Sequence, residues 1–168
     1  MKALIWVRGT LVRALESFVV LAFGFLIITV LWGVFTRFVL GRQAAWTEEA
    51  AIYLLIWVSM LGAALIYQDK GHLGVDYLMT KLHPSARLIA EVAVQVVVFA
   101  FSGVVLVMGG WVLVTETLSQ GQLSPTLGLR VGFLYLAMPL SGSFFCLFSL
   151  EEGIRLVATA VGSGEERA

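Results

Sequence analysis

Arg37, Arg42, Glu48 and Glu49 are the only charged side chains between Glu16 and Asp69, and they crowd with Trp46 into FTRFVLGRQAAWTEEAA, residues 35–51. Arginines and carboxylates at this spacing could pair across a turn, or they could present charge to a partner. Neither is bond-making chemistry, and the rest of the chain offers little of it. Glu16, Glu91 and Glu116 stand at the ends of apolar runs, so no carboxylate sits inside one to relay a proton or hold a cation. Both histidines, His72 and His83, fall in a single polar stretch, which leaves no axial ligand within an apolar run for a b-type haem. His72 in DKGHLGVD lacks further ligands at metal-binding spacing and reads as a solvated loop residue. There is no H-E-x-x-H, no C-x-x-C and no phosphate-cradling glycine loop. Cys146 is the one cysteine and cannot form an internal disulfide. The expectation is no catalytic, substrate, metal or cofactor site: this chain is not an enzyme.

The elements that position the charged stretch follow from where charge is missing. Of 168 residues, 60% are hydrophobic and 13% charged, and mean hydropathy is +0.94. A chain this short buries only part of its own surface on folding, so its remaining apolar surface calls for lipid or a large partner. The formal net charge is zero, which argues against nucleic acid. Ser17–Thr36, Ala50–Gln68, Val92–Thr115 and Val131–Leu150 contain no Asp, Glu, Lys or Arg. About 20 helical residues cross the roughly 30 Å hydrocarbon layer, and a central charge costs about 2.5–3.5 kcal/mol. The reading is an all-α integral membrane protein, one domain of four transmembrane helices over about 17–39, 49–68, 88–115 and 130–151. The first span is too long for a signal-peptide core and is followed by bulky residues instead of a cleavage site, so it is expected to be retained.

Eight of the eleven Lys and Arg residues fall in the N-terminal stretch, the second loop and the tail. The excess places both termini and the second loop in the cytoplasm, and the first and third loops outside. Residues 1–16 read either as a short amphipathic lead-in helix or as the basic flank of span one. Leu73, Tyr77, Leu78 and Leu82 predict a short helix on the cytoplasmic surface, after which Pro84 suits the first turn of span three. Pro139 should kink span four, with Ser141 and Ser143 able to bond freed carbonyls and Gly142 able to admit a neighbouring helix. Gly128 and Gly132 match a G-x-x-x-G spacing, which a plain loop-to-helix transition explains as well.

The charged stretch carries two compatible readings. In one it is a boundary: Thr47 caps span two, Glu48 and Glu49 meet the positive helix end, and Trp46 sits among the headgroups. Arg37, at the very end of span one, then pairs with Glu48 or Glu49 across the hairpin. In the other the stretch faces a partner directly.

Several segments recur in an order that resembles a known family. RFVLG from Arg37 leads to WTEE from Trp46, WVSMLG spans Trp57 to Gly62, and KGHLGVD spans Lys70 to Asp76. LHP ends at Pro84, SPTLGL starts at Ser124, and YLAMP runs from Tyr135 to Pro139. The chain resembles the small membrane (Q, DctQ-type) subunit of tripartite ATP-independent periplasmic (TRAP) transporters. The resemblance implies a subunit of the bacterial inner membrane that scaffolds a large membrane subunit. That partner couples uptake of an organic acid (a C4-dicarboxylate, a sialic acid or another sugar acid) to sodium, after delivery by a periplasmic solute-binding protein. It also implies that the outer loops lie near the docking receptor, with Arg37, Arg42, Trp46, Glu48 and Glu49 as the first interface candidates and Gln122, Ser124 and Arg130 as the second. The rival reading is a stand-alone four-span assembly factor or small carrier. The uncharged span interiors count against a self-sufficient carrier.

Overall fold

The computed structural model describes residues 2–42, 44–69 and 84–165. α1 spans Lys2–Val39 without a break, so the N-terminal residues continue the first span in one rod. α2 spans Ala45–Gln68. α3 begins at Pro84, the position where a missing N–H is harmless, and runs to Phe101. It passes into a π-helical segment, Ser102–Gly109, and then α4, Gly110–Ser119. A one-turn helix, α5 (Gly132–Tyr135), precedes α6 (Ala137–Glu165). Four stretches are long and apolar enough to cross a membrane: Arg8–Val39, Ala45–Gln68, Ala86–Ser119 and Gly132–Ala158. The surface helix expected between spans two and three lies outside the described residues.

When every face of a helix is apolar, packing is decided by side-chain size rather than by hydrophobicity. On α1 the buried residues are Leu15, Ala22, Thr29 and Thr36, seven apart, with Gly33 beside them. Half-buried Val12, Val19 and Leu26 alternate with them at three- and four-residue steps. This is the repeat of a left-handed helix pair, with small side chains toward the loop end, and it lays α1 along α2. Phe18 and Trp57 meet edge-on across the seam at 5.9 Å. α2 exposes only one long stripe beyond its first turn, through Ile52, Leu55, Ser59, Ala63 and Ile66, because its other side packs on α6. α6 in turn packs on α3 and the π segment, so the spans stand in the order one, two, four, three. Tyr67 donates to Gln95 Oε1 between spans two and three, while the Tyr67 ring lies 5.3 Å from that of Phe145. An Arg8–Glu151 ion pair at 2.8 Å ties the start of α1 to α6; it is half-exposed and contributes little.

Spans three and four approach where side chains are missing. A Cβ on Gly110 would lie 2.9 Å from Pro139 Cδ, and one on Gly142 would lie 2.6 Å from Leu106 Cβ and 3.1 Å from the Val107 nitrogen. The helix breaks between Tyr135 and Ala137, one turn before Pro139, the residue that cannot donate back along the helix. Ser141 and Ser143 hydroxyls bond the carbonyls of Met138 (3.0 Å) and Pro139 (2.7 Å). Gly128 and Gly132 form no common helix face: Gly128 has φ +64° in the loop, and Gly132 packs on Leu118.

Gly142→Ala should lower the stability of the chain by about 1–3 kcal/mol through overpacking. Gly24→Ala, whose Cβ would meet nothing within 4 Å, should leave it unchanged or slightly raised. Thermal unfolding of the purified protein in mild detergent, followed by circular dichroism, distinguishes the two.

Candidate functional site

The first and third loops lie at the same end of the helices, and buried hydroxyls organise the hairpin between spans one and two. Thr36, 4% exposed, donates from Oγ1 to the Gly33 carbonyl at 3.0 Å and accepts from the Ala44 N–H at 3.3 Å. Thr47, 2% exposed, donates from Oγ1 to the Ala44 carbonyl at 2.6 Å. Thr47 is therefore not the cap of span two. The cap position is Ala44, which makes no side-chain cap bond, and the helix starts two residues before Thr47. Thr47 lies inside the first turn and its hydroxyl donates back to the Ala44 carbonyl, while the Ala44 N–H is taken by Thr36 across the hairpin. Gly41, at φ +72°, turns the chain between the helices, a conformation that glycine adopts without steric cost.

The third loop folds on itself as a small hairpin. The N–H of Ser124 bonds Leu129 O at 2.8 Å, that of Val131 bonds Gln122 O at 3.0 Å, and Leu123 and Arg130 pair antiparallel. Gly128 N–H closes onto Ser124 O at 3.1 Å, and the Ser124 hydroxyl accepts from Leu127 N–H at 3.3 Å. The N–H groups of Thr126 and Leu127 then converge on one oxygen of Glu49, Oε2, at 2.9 and 3.0 Å. A carboxylate answered by two backbone donors is a charge-assisted clamp, stronger than a neutral pair. It fastens the third loop to the N-terminal end of α2.

This geometry corrects the expected staple. Glu49 is taken by the third loop, and among the described residues Arg37 makes no ion pair with Glu48 or Glu49. The Arg37 guanidinium lies 5.8 Å from the centre of the Phe38 ring. Arg42, Trp46, Glu48, Gln122 and Arg130 are exposed, and Ser124 is buried under its own loop. Sequence reasoning missed Thr36, Thr126 and Leu127. Thr36 had a usable signal, a polar residue next to the terminal arginine of an apolar run. The other two act through backbone N–H groups, which leave no trace in residue type. Among the described residues, no three metal-ligating side chains gather.

The family model of tripartite ATP-independent periplasmic transporters, DctQ component, matches residues 26–159, which include both loops. The chain belongs to the DctQ family. It is 24% identical over 131 residues to the sialic acid TRAP transporter small permease protein SiaQ of Vibrio cholerae, covering 78% of this chain and 74% of that one. It is similar to the C4-dicarboxylate TRAP transporter small permease protein DctQ of Rhodobacter capsulatus, 27% identical over 111 residues, 66% of this chain and 48% of that one. The isethionate TRAP transporter permease protein DctMQ of Oleidesulfovibrio alaskensis is 28% identical over 115 residues, which are 67% of this chain and only 18% of that much longer polypeptide. This DctQ chain is thus a membrane-embedded small permease subunit of a TRAP transporter, and not an enzyme.

Glu49→Ala should free the third loop: the amides of Thr126 and Leu127 should exchange hydrogen faster than in the parent protein. Glu49→Gln, which keeps one acceptor oxygen, should fall between, and Glu48→Gln should change neither amide. Hydrogen exchange resolved to residues 126–127 by mass spectrometry gives the ranking.

Proposed function

We propose that this DctQ subunit braces a large permease subunit that takes up an organic acid with sodium, in the bacterial inner membrane, with both of its own termini cytoplasmic. The observation that carries the reading is the relative named permease protein DctMQ, of which the segment matched by this chain forms only 18%, so that a small-subunit-like segment and a much larger permease portion share one polypeptide. Two features support it. The four apolar windows carry no charged residue that could coordinate an ion or an acid, as suits a stationary wall. Long rows of apolar side chains on α1, among them Val20, Leu21, Ile28 and Leu31, are at least 45% exposed, a surface for lipid or a larger neighbour. The relatives' names support an organic anion as the solute, since sialic acid, C4-dicarboxylate and isethionate are all of that class.

The Lys and Arg distribution supports an outward position for the first and third loops, and with it a docking face for a periplasmic solute-binding protein. On that face Arg42, Trp46, Gln122 and Arg130 point to solvent, while Glu49 and Ser124 shape it from beneath.

In proteoliposomes, the anion carried by the cognate binding protein should accumulate under an inward sodium gradient only when this chain, the large subunit and the binding protein are all present. Accumulation by vesicles holding this chain alone would overturn the bracing role. Arg42→Glu combined with Arg130→Glu should weaken capture of the binding protein by about tenfold while leaving the two membrane subunits co-purifying.

A further inference from the structure

Between α1 and α2, alongside the buried Thr29 and Thr47, runs a groove of about 480 Å³ lined by these two helices alone. Its walls are apolar, with Leu26, Val30 and Val34 on one side and Ile52 and Leu55 on the other, and Gly33, which has no side chain, deepens its floor. At the loop end the groove opens between two charges, Arg37 and Glu48. Neither has an ion pair or hydrogen bond among the described residues, and they stand too far apart to pair with each other.

Dimensions identify the occupant. From Leu26 to Arg37 is eleven residues, about 16 Å along α1. That is half the roughly 30 Å hydrocarbon layer, so the groove runs from headgroup level to the bilayer midplane. A partner helix would press on both leaflets, whereas one acyl chain occupies one. The charged mouth adds a cation and an anion side by side, complementary to a headgroup that carries both signs.

The geometry points to a bound phospholipid with an ethanolamine headgroup. One acyl chain lies in the groove, the phosphate meets the Arg37 guanidinium through charge-assisted hydrogen bonds, and the ammonium donates to the Glu48 carboxylate. A choline headgroup has no N–H to donate, and a glycerol headgroup offers only neutral hydroxyls, so neither makes the charge-assisted N–H contact with Glu48. The lipid covers a cleft that α1 and α2 leave open, and its place does not depend on what the transporter carries.

The test is native mass spectrometry of the permease complex, this chain with its large subunit, exchanged into nanodiscs or detergent with defined phosphatidylethanolamine, phosphatidylcholine or phosphatidylglycerol. The expected result is a retained phosphatidylethanolamine adduct favoured about two- to fivefold over phosphatidylcholine, the range of an exposed ion pair. Arg37→Ala should weaken retention of all three lipids by about tenfold. Glu48→Gln should erase the ethanolamine preference and keep the adduct. Val30→Trp, which fills the groove from an exposed position, should expel the lipid while the complex stays assembled. Equal retention of ethanolamine and choline lipids by the unaltered complex would overturn the proposal. So would a preference untouched by both Arg37→Ala and Glu48→Gln, or photo-crosslinks from position 52 to the large subunit instead of to lipid.

Discussion

One oxygen of Glu49 receives two backbone N–H groups from a loop almost eighty residues away in sequence. Without that bond the two halves of the chain, spans one and two on one side and spans three and four on the other, would meet at the loop end, among the described residues, only through apolar packing. Apolar packing is a weak guide inside lipid, because the acyl chains are as greasy as the side chains they would replace. A directed, charge-assisted contact at the water boundary does what burial cannot: it selects one mutual placement of the loops. Thr36 and Thr47 perform the same service within the first hairpin, where hydroxyls facing Ala44 set how the chain turns between helices.

Below that layer, close approach is made by omission. Glycines at 110 and 142 let spans three and four touch backbone to side chain, and the small residues of α1 let it settle on α2. The two joints differ in kind. The joint between spans three and four is dense and offset by a wide helical turn, with a serine-lined fourth span at its centre. That between spans one and two is a single seam, which leaves a cleft beside it and most of α1 bare. A brace is expected to be stiff where its own helices meet and open where it receives neighbours, and this division follows that logic.

Much of the architecture was readable from residue types. Four uncharged windows announced four spans, Pro84 marked the start of the third helix, and Gly142 was placed among residues suited to helix contact. The failures have a common cause. Thr47 looked like a cap because threonine before two glutamates is a frequent helix start, but the helix begins at Ala45 and the Thr47 hydroxyl donates back to the Ala44 carbonyl. Arg37 looked bound to a glutamate because charge near lipid seeks its opposite, yet the stronger claim on Glu49 came from peptide groups. Backbone donors are carried by nearly every residue, so composition cannot say which of them a loop will aim at a carboxylate. The row order of the spans was equally hidden, since helices apolar all round carry no stripe that names their partners.

The wide turn from Ser102 to Gly109 bears on how this chain tolerates change in length. Each residue in an α-helix advances the azimuth by about 100°. A wide turn advances it by less, so the eight residues of SGVVLVMG cover about the angle that seven would cover at ordinary pitch. Dropping one residue from this run, and so letting it tighten, would leave Gly110 facing Pro139. Dropping one from α3, which has no such slack, would swing Gly110 away and bring a side chain where only a hydrogen fits. The stretch thus holds spare length for the rod.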